Sequence, residues 1–219
     1  MKSQRYSFLH TALGGTVARF AIICVFFIIW FQVYKVLNMW GSQPGRAISI
    51  TSPISMWPFI FAPWTALVYV FGGYGTCILP FIYNWRWPLF RRVIISYAVS
   101  SLVAFIIYAV WPVIMLRPDY SGAGIGLWLM RMVVSVDNPA NCFPSSHAIF
   151  AVLSGLHCMH KETPRLFIWF SWILAAAVCV SAITVGQHYI QDIIAGVITA
   201  GLGYYLSRMI EKQKAPIGH

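Results

Sequence analysis

Apolar positions in this chain run on in long blocks. Stretches of about 20 mostly apolar residues recur from one end to the other, and a helix of that length crosses the hydrocarbon core of a bilayer. Six are read: residues 17–37, 57–83, 91–115, 144–160, 166–185 and 189–210. They predict an all-α fold, a six-transmembrane-helix bundle built as a single integral membrane domain over residues 1–219. Pro58, Pro63, Gly72, Gly73, Gly75 and Pro80 predict that the second span is kinked or broken. Trp57, Trp85, Trp87, Trp111 and Trp128 fall near predicted ends, as an aromatic belt requires. The apolar segment 124–136 is short for a span. It is either an interfacial helix roofing a site or ordinary packing. Gly196, Gly201 and Gly203, with Ala195 and Ala200, predict close helix packing in the last span.

Composition narrows the class. The chain is 59% hydrophobic and 9% charged, with mean hydropathy +0.73. A soluble domain carries roughly 25% charged residues, so this chain cannot face water on all sides. The net charge of +10 forms no patch and does not indicate a nucleic-acid partner. It marks orientation instead. With the N-terminus cytoplasmic, one side collects Lys2, Arg5, Arg19, Arg86, Arg91, Arg92, Lys161, Arg165, Arg208, Lys212 and Lys214, and the other only Lys35, Arg46, Arg117 and Arg131. The poorer side is then the exterior or periplasm. The apolar run after Met1–Arg5 lacks a convincing cleavage site and reads as an uncleaved first helix. Short connectors lean toward a bacterial inner membrane. The five cysteines are scattered and read as small buried hydrophobes.

Candidate chemistry lies on the sparse side. At the mouth of the fourth span stands Cys142-Phe143-Pro144-Ser145-Ser146-His147. Proline and hydroxyls suit a helix start, and such an N-terminus favours anions. Simple capping with an incidental histidine fits the tetrapeptide as well. His188 and Asp192, four apart at the start of the sixth span, share one helix face. A carboxylate there can fix the imidazole tautomer and sharpen the other nitrogen as nucleophile or base. A structural hydrogen bond between helices is the plainer reading, although an aspartate inside a bilayer is costly and marks function. Two histidines, an aspartate and Arg117 beside a helix N-terminus suit phosphoryl transfer. His157 and His160, beside Lys161, lack further ligands for a metal and read as interfacial histidines with snorkelling cations.

Pro144-Ser145-Ser146-His147 resembles the second signature of the type 2 phosphatidic acid phosphatase (PAP2) superfamily, Pro-Ser-Gly-His. Ser181, His188 and Asp192 resemble its third signature in spacing, and Arg117-Pro118 the end of its first. The resemblance spans roughly residues 117–192 and implies a membrane lipid-phosphate phosphatase without cofactor or metal. It would act on a lipid phosphate or phospholipid through a phosphohistidine, on the non-cytoplasmic face. His188 would be the nucleophile, Asp192 its orienting partner and His147 the acid and base. Arg117, Ser145 and the backbone at Ser146 would hold the phosphoryl oxygens. Two of the family's cations are missing: Val110 and Ala182 stand in their places. Either Arg131 or Arg46 supplies the charge, or the substrate is a less charged phosphodiester. Gly186-Gln187-His188-Tyr189 is similar to the branch of sphingomyelin and inositol-phosphorylceramide synthases, where an alcohol accepts the phospho-head group. A lipid phosphotransferase is therefore the alternative. From other classes stand a transporter or channel with intramembrane His and Asp, a metal or haem protein ligated by His147 and His188, and a catalytically inactive relative.

Overall fold

The computed structural model describes residues 2–49 and 61–213, so Trp57, Pro58 and the expected start of the second span lie outside the described residues. Helix α1 (Lys2–Gly41) is followed by strand β1 (Ile48–Ser49), helix α2 (Pro63–Tyr83), helix α3 (Trp87–Val110) and strand β2 (Val113–Ile114). Helices α4 (Ile125–Val136), α5 (Ser146–Cys158), α6 (Arg165–Thr184) and α7 (Ile190–Gln213) complete the chain. Two units are distinguished, Met1–Val36 and Leu37–His219. The first is the body of α1, with Trp30 stacked on Tyr34. The second holds the candidate site.

Among the described residues, five helices are long and apolar enough to cross a membrane: Gly14–Gly41, Pro63–Tyr83, Trp87–Val110, Arg165–Thr184 and Ile190–Glu211. The expected span at 144–160 is the 13-residue α5, about 20 Å long at 1.5 Å per residue, shorter than the five others. Its environment explains how so short an apolar helix is kept. Residues Ala148 to Gly155 are all buried, and α5 packs against α2, α3, α6 and α7. Protein, rather than lipid, satisfies its apolar surface. The outer surface of the bundle is apolar: Phe71, Ile78, Leu102, Ile106, Ile173, Val180 and Ile198 are exposed, while Thr76, Ser96, Ser100, Ser171 and Ser207 are buried. This inversion of the soluble pattern is that of a protein dissolved in lipid.

The second span is broken as its prolines and glycines predict. A 3-10 turn at Pro63–Thr65 passes into a wide π turn at Val68–Gly72 and then an α-helix from Gly73. Pro80 cannot donate to the Thr76 carbonyl, and the Tyr97 hydroxyl donates there in its place at 3.3 Å. Trp87 and Trp111 flank α3 and are both partly exposed, in keeping with an aromatic belt. Small residues set the approach of α7. A Cβ on Gly203 would stand 2.0 Å from Ser100 Oγ of α3, and one on Gly196 would stand 2.8 Å from Ala148 Cβ of α5. Gly201 faces no neighbour within 4 Å and does not share this role.

Candidate active site

The starts of α5 and α7 meet at one end of the bundle. Ser145 is the N-cap of α5, its Oγ accepting the Ala148 N–H at 3.3 Å. Its own N–H donates to the Asp192 carbonyl at 3.0 Å, which ties the two helix starts together. Gly196 permits this approach, since a Cβ there would also fall 2.8 Å from the Ser145 carbonyl oxygen. The first-turn N–H groups of Ser146 and His147 have no intrahelical acceptor, as helix starts dictate, and they favour an anion. Ser146 lies within hydrogen-bond reach of the Tyr108 hydroxyl, which donates to the Pro144 carbonyl at 2.7 Å.

His188 is delivered by a reversal after α6. Gly186 adopts φ +83°, a conformation that costs other residues free energy, and the N–H groups of Gln187 and His188 both donate to the Ala182 carbonyl at 3.1 Å. The His188 Nδ1 lies 3.0 Å from the Cys142 carbonyl oxygen and 3.5 Å from Asp192 Oδ2. A carbonyl can only accept, so Nδ1 carries the hydrogen and Nε2 keeps its lone pair. The closer partner is thus a backbone carbonyl. Asp192 stands second: its Oδ2 accepts the Tyr189 N–H at 2.8 Å, closing the first turn of α7 as a capping acid does. Its Oδ1 is buried without a hydrogen-bond partner.

His147, in the first turn of α5, presents its ring 5.8 Å from that of His188, centroid to centroid. On another side it stacks on Tyr69 at 4.3 Å and 29°. A Cβ on Gly73 would press on His147 Cδ2 at 3.0 Å, so the wide turn of α2 shapes a slot for this ring. His147, His188, Asp192, Ser145 and Ser146 therefore gather as their sequence order suggests. Among the described residues no three His, Cys, Asp or Glu side chains group closely enough to hold a metal ion.

Arg117 is engaged differently from the expectation. Its Nη1 donates to the Asp137 carbonyl at 2.5 Å, and its Nη2 to Asp137 Oδ2 at 2.8 Å and the Asn138 carbonyl at 3.1 Å. Only its Nε–H is buried without an acceptor. The pair borders the site, for the Met115 N–H donates to the Pro139 carbonyl and the Cys142 N–H to the Val113 carbonyl, which joins the segments carrying Arg117 and Asp137 next to the carbonyl that meets His188. The segment 137–140 is held in turn by Asn38, whose Nδ2 donates to the Asn138 and Ala140 carbonyls and whose Oδ1 accepts the Asn138 N–H. Arg131 donates to the Tyr120 and Gly122 carbonyls, and Arg46 lies 3.4 Å over the Trp40 ring. Both cations proposed as replacements are thus committed to other partners.

Tyr120 latches the Arg117 loop to the His188 turn, its hydroxyl donating to the Val185 carbonyl at 2.8 Å and accepting from Gln187 Nε2 at 2.8 Å. Burial pushes its pKa up to about 12, so it remains a donor at neutral pH. Val110 is 75% exposed at the end of α3, whereas Ala182 is fully buried among Tyr69, Tyr120, Ala148 and Val185. Apolar and aromatic packing fills the space around Ala182. Asp137, Asn38, Tyr69 and Tyr120 were not singled out in the sequence. Only Asn38, a polar residue inside an apolar run, carried a visible signal.

A family model described as the PAP2 superfamily matches residues 54–206. The chain belongs to the PAP2 superfamily. The match contains Arg117, Ser145, Ser146, His147, His188 and Asp192, and Tyr69 beneath them. No curated protein and no solved structure matches the chain. PAP2 membership, together with the long apolar helices, marks an integral membrane enzyme of the phosphatase or phosphotransferase type.

Proposed function

We propose that this PAP2 protein is a lipid-phosphate phosphatase that hydrolyses a phosphate ester or anhydride of a lipid through a phosphohistidine at His188, on the non-cytoplasmic face. The observation that carries this reading is the His188 ring with Nδ1 turned to the Cys142 carbonyl, its Nε2 lone pair left for phosphorus and His147 alongside. In the first step His188 Nε2 forms a bond to phosphorus, the ester P–O bond breaks, and His147 gives its proton to the departing oxygen. In the second, His147 takes a proton from water as the water oxygen bonds to phosphorus, the P–N bond breaks and inorganic phosphate leaves. Such positioned proton transfers contribute about 10²–10⁴ in rate. The N–H groups at the start of α5 and the Ser145 hydroxyl face the charge that develops on the phosphoryl oxygens.

The test is inorganic phosphate release by the detergent-purified full chain from phosphatidic acid, a lysolipid phosphate and a polyprenyl pyrophosphate, with His188→Ala alongside. Release that depends on His188 sustains the reading. Equal release by the variant, or none from a folded parent, removes it.

A second reading rests on the Arg117–Asp137 pair. Asp137 offsets the charge of Arg117, and the proton that His147 donates in the reaction offsets Asp192, so the site holds no net positive charge. That balance suits a monoanionic phosphodiester better than a dianionic monoester. The acceptor would then be an alcohol, and the product a new phospholipid with no phosphate released.

A further inference from the structure

The opposite end of the bundle carries a second polar cluster that the chemistry above does not use. Ten residues along α5 from His147, about 15 Å by helical rise, His157 is buried and not interfacial as its sequence position suggested. Its Nε2 lies 2.6 Å from Ser96 Oγ, which donates to the Val93 carbonyl at 2.8 Å. Its backbone carbonyl accepts from Asn84 Nδ2 at 3.0 Å. These groups satisfy one another.

Around them stand three polar groups that nothing satisfies. Arg92 Nε, His160 Nε2 and Thr163 Oγ1 are buried without a hydrogen-bond partner. His160 Nδ1 accepts the Glu162 N–H at 3.3 Å, so the ring hydrogen sits on Nε2 and makes that atom a donor. Thr163 is only 6% exposed and its N–H donates to the His160 carbonyl at 3.1 Å. It precedes Pro164, the N-cap of the 20-residue α6, which has no side-chain cap. Arg92 lies four residues before Ser96 on α3, one turn away on the same face, and His160 follows His157 by three residues, so both stand at the end of the bundle where Ser96 meets His157. A buried unpaired donor costs roughly 1–3 kcal/mol, and here there are three.

Charge points the same way. The two carboxylates at this end are already taken: Glu162 pairs with Arg86, and Glu211 with Arg91 at 2.8 Å. Among the described residues no carboxylate pairs with Arg92. Snorkelling explains cations whose heads reach water, but not a guanidinium Nε–H or a threonine hydroxyl buried without a partner. A ligand here must accept hydrogen bonds and carry negative charge, which excludes metal cations and neutral lipid tails.

We infer that this end of the bundle holds a second anion site, formed by Arg92, His160, Thr163 and the start of α6, which takes a phosphate group. The phosphate is either that of an anionic lipid headgroup or free inorganic phosphate. The inference is independent of the activity proposed for the other end. The full chain, purified in detergent, is titrated with inorganic phosphate, short-chain phosphatidylglycerol and a diacylglycerol of the same tails, and binding is read by thermal shift and native mass spectrometry. Phosphatidylglycerol is expected to bind, with affinity at least about tenfold weaker in Arg92→Gln and about fivefold weaker in Thr163→Val. Binding by phosphate as well would identify the phosphate group as sufficient, and binding by phosphatidylglycerol alone a lipid headgroup. Thr163→Val removes one hydroxyl at constant shape, so it keeps the test decisive if Arg92→Gln misfolds. Parent affinity in both variants would overturn the inference, as would equal binding of diacylglycerol or no binding to the parent.

Discussion

The ring of Tyr69 lies under that of His147, 4.3 Å between centroids and 29° from parallel. With Gly73 against the ring edge, this stack leaves the imidazole one orientation. Tyr69→Phe keeps the stack and is expected to hold phosphate release within about threefold. Tyr69→Ala removes the support, opening a cavity that costs about 3–5 kcal/mol and lowering kcat by tenfold or more. Turnover assays paired with thermal melts check both, and equal rates in the two variants would show that the stack does not position His147.

Because the Cys142 carbonyl is nearer to His188 Nδ1 than Asp192 is, the two residues should not be equivalent in mutation. His188→Ala abolishes turnover. Asp192→Asn keeps an oxygen for the Tyr189 N–H and leaves the tautomer set by Cys142, so it costs about 10–100-fold, well short of the histidine variant. Single-turnover rates measure the gap. Loss as complete as in His188→Ala would make the carboxylate, and not the carbonyl, the group that sets the imidazole.

Asp137 neutralises the site's arginine. Asp137→Asn shifts the local balance by one positive charge, and KM for a phosphomonoester is expected to fall several-fold while that for a phosphodiester changes less. Steady-state KM values on matched lipids give the answer. An unchanged ratio would mean that Arg117 does not reach the substrate.

Two glycines near the site are sterically required. Gly196→Ala brings a methyl to 2.8 Å from Ala148 Cβ and the Ser145 carbonyl oxygen, and Gly186→Ala places one 2.4 Å from Pro118 Cδ at φ +83°. Overpacking costs about 1–3 kcal/mol, and Gly186 adds backbone strain. Both variants should melt earlier in detergent than the parent, with Gly201→Ala, which meets nothing within 4 Å, as the unaffected control.

The bundle was largely legible because its signals are local. Apolar runs of span length, prolines and glycines in the second run, and tryptophans at the ends of α3 each announce a helix or its boundary without reference to any other part of the chain. The fourth expected span is the short α5, 13 residues long. Hydropathy registers only that a segment avoids water, and a helix shielded by α2, α3, α6 and α7 avoids it as well as one shielded by lipid. His157 was misplaced for the same reason: beside Lys161 in the sequence, it looks interfacial, but it turns inward to Ser96, 61 residues away.

Chain-local physics determined which residues form the candidate site: a proline and serine to start α5, histidine and aspartate one turn apart at the start of α7, and an arginine before a proline. Only the tertiary structure decided what each of them touches. Arg117 meets Asp137 twenty residues on, and His147 rests on Tyr69 from another helix. His188 turns to a carbonyl 46 residues before it. Every residue carries such a carbonyl, so no choice of side chain could have announced it.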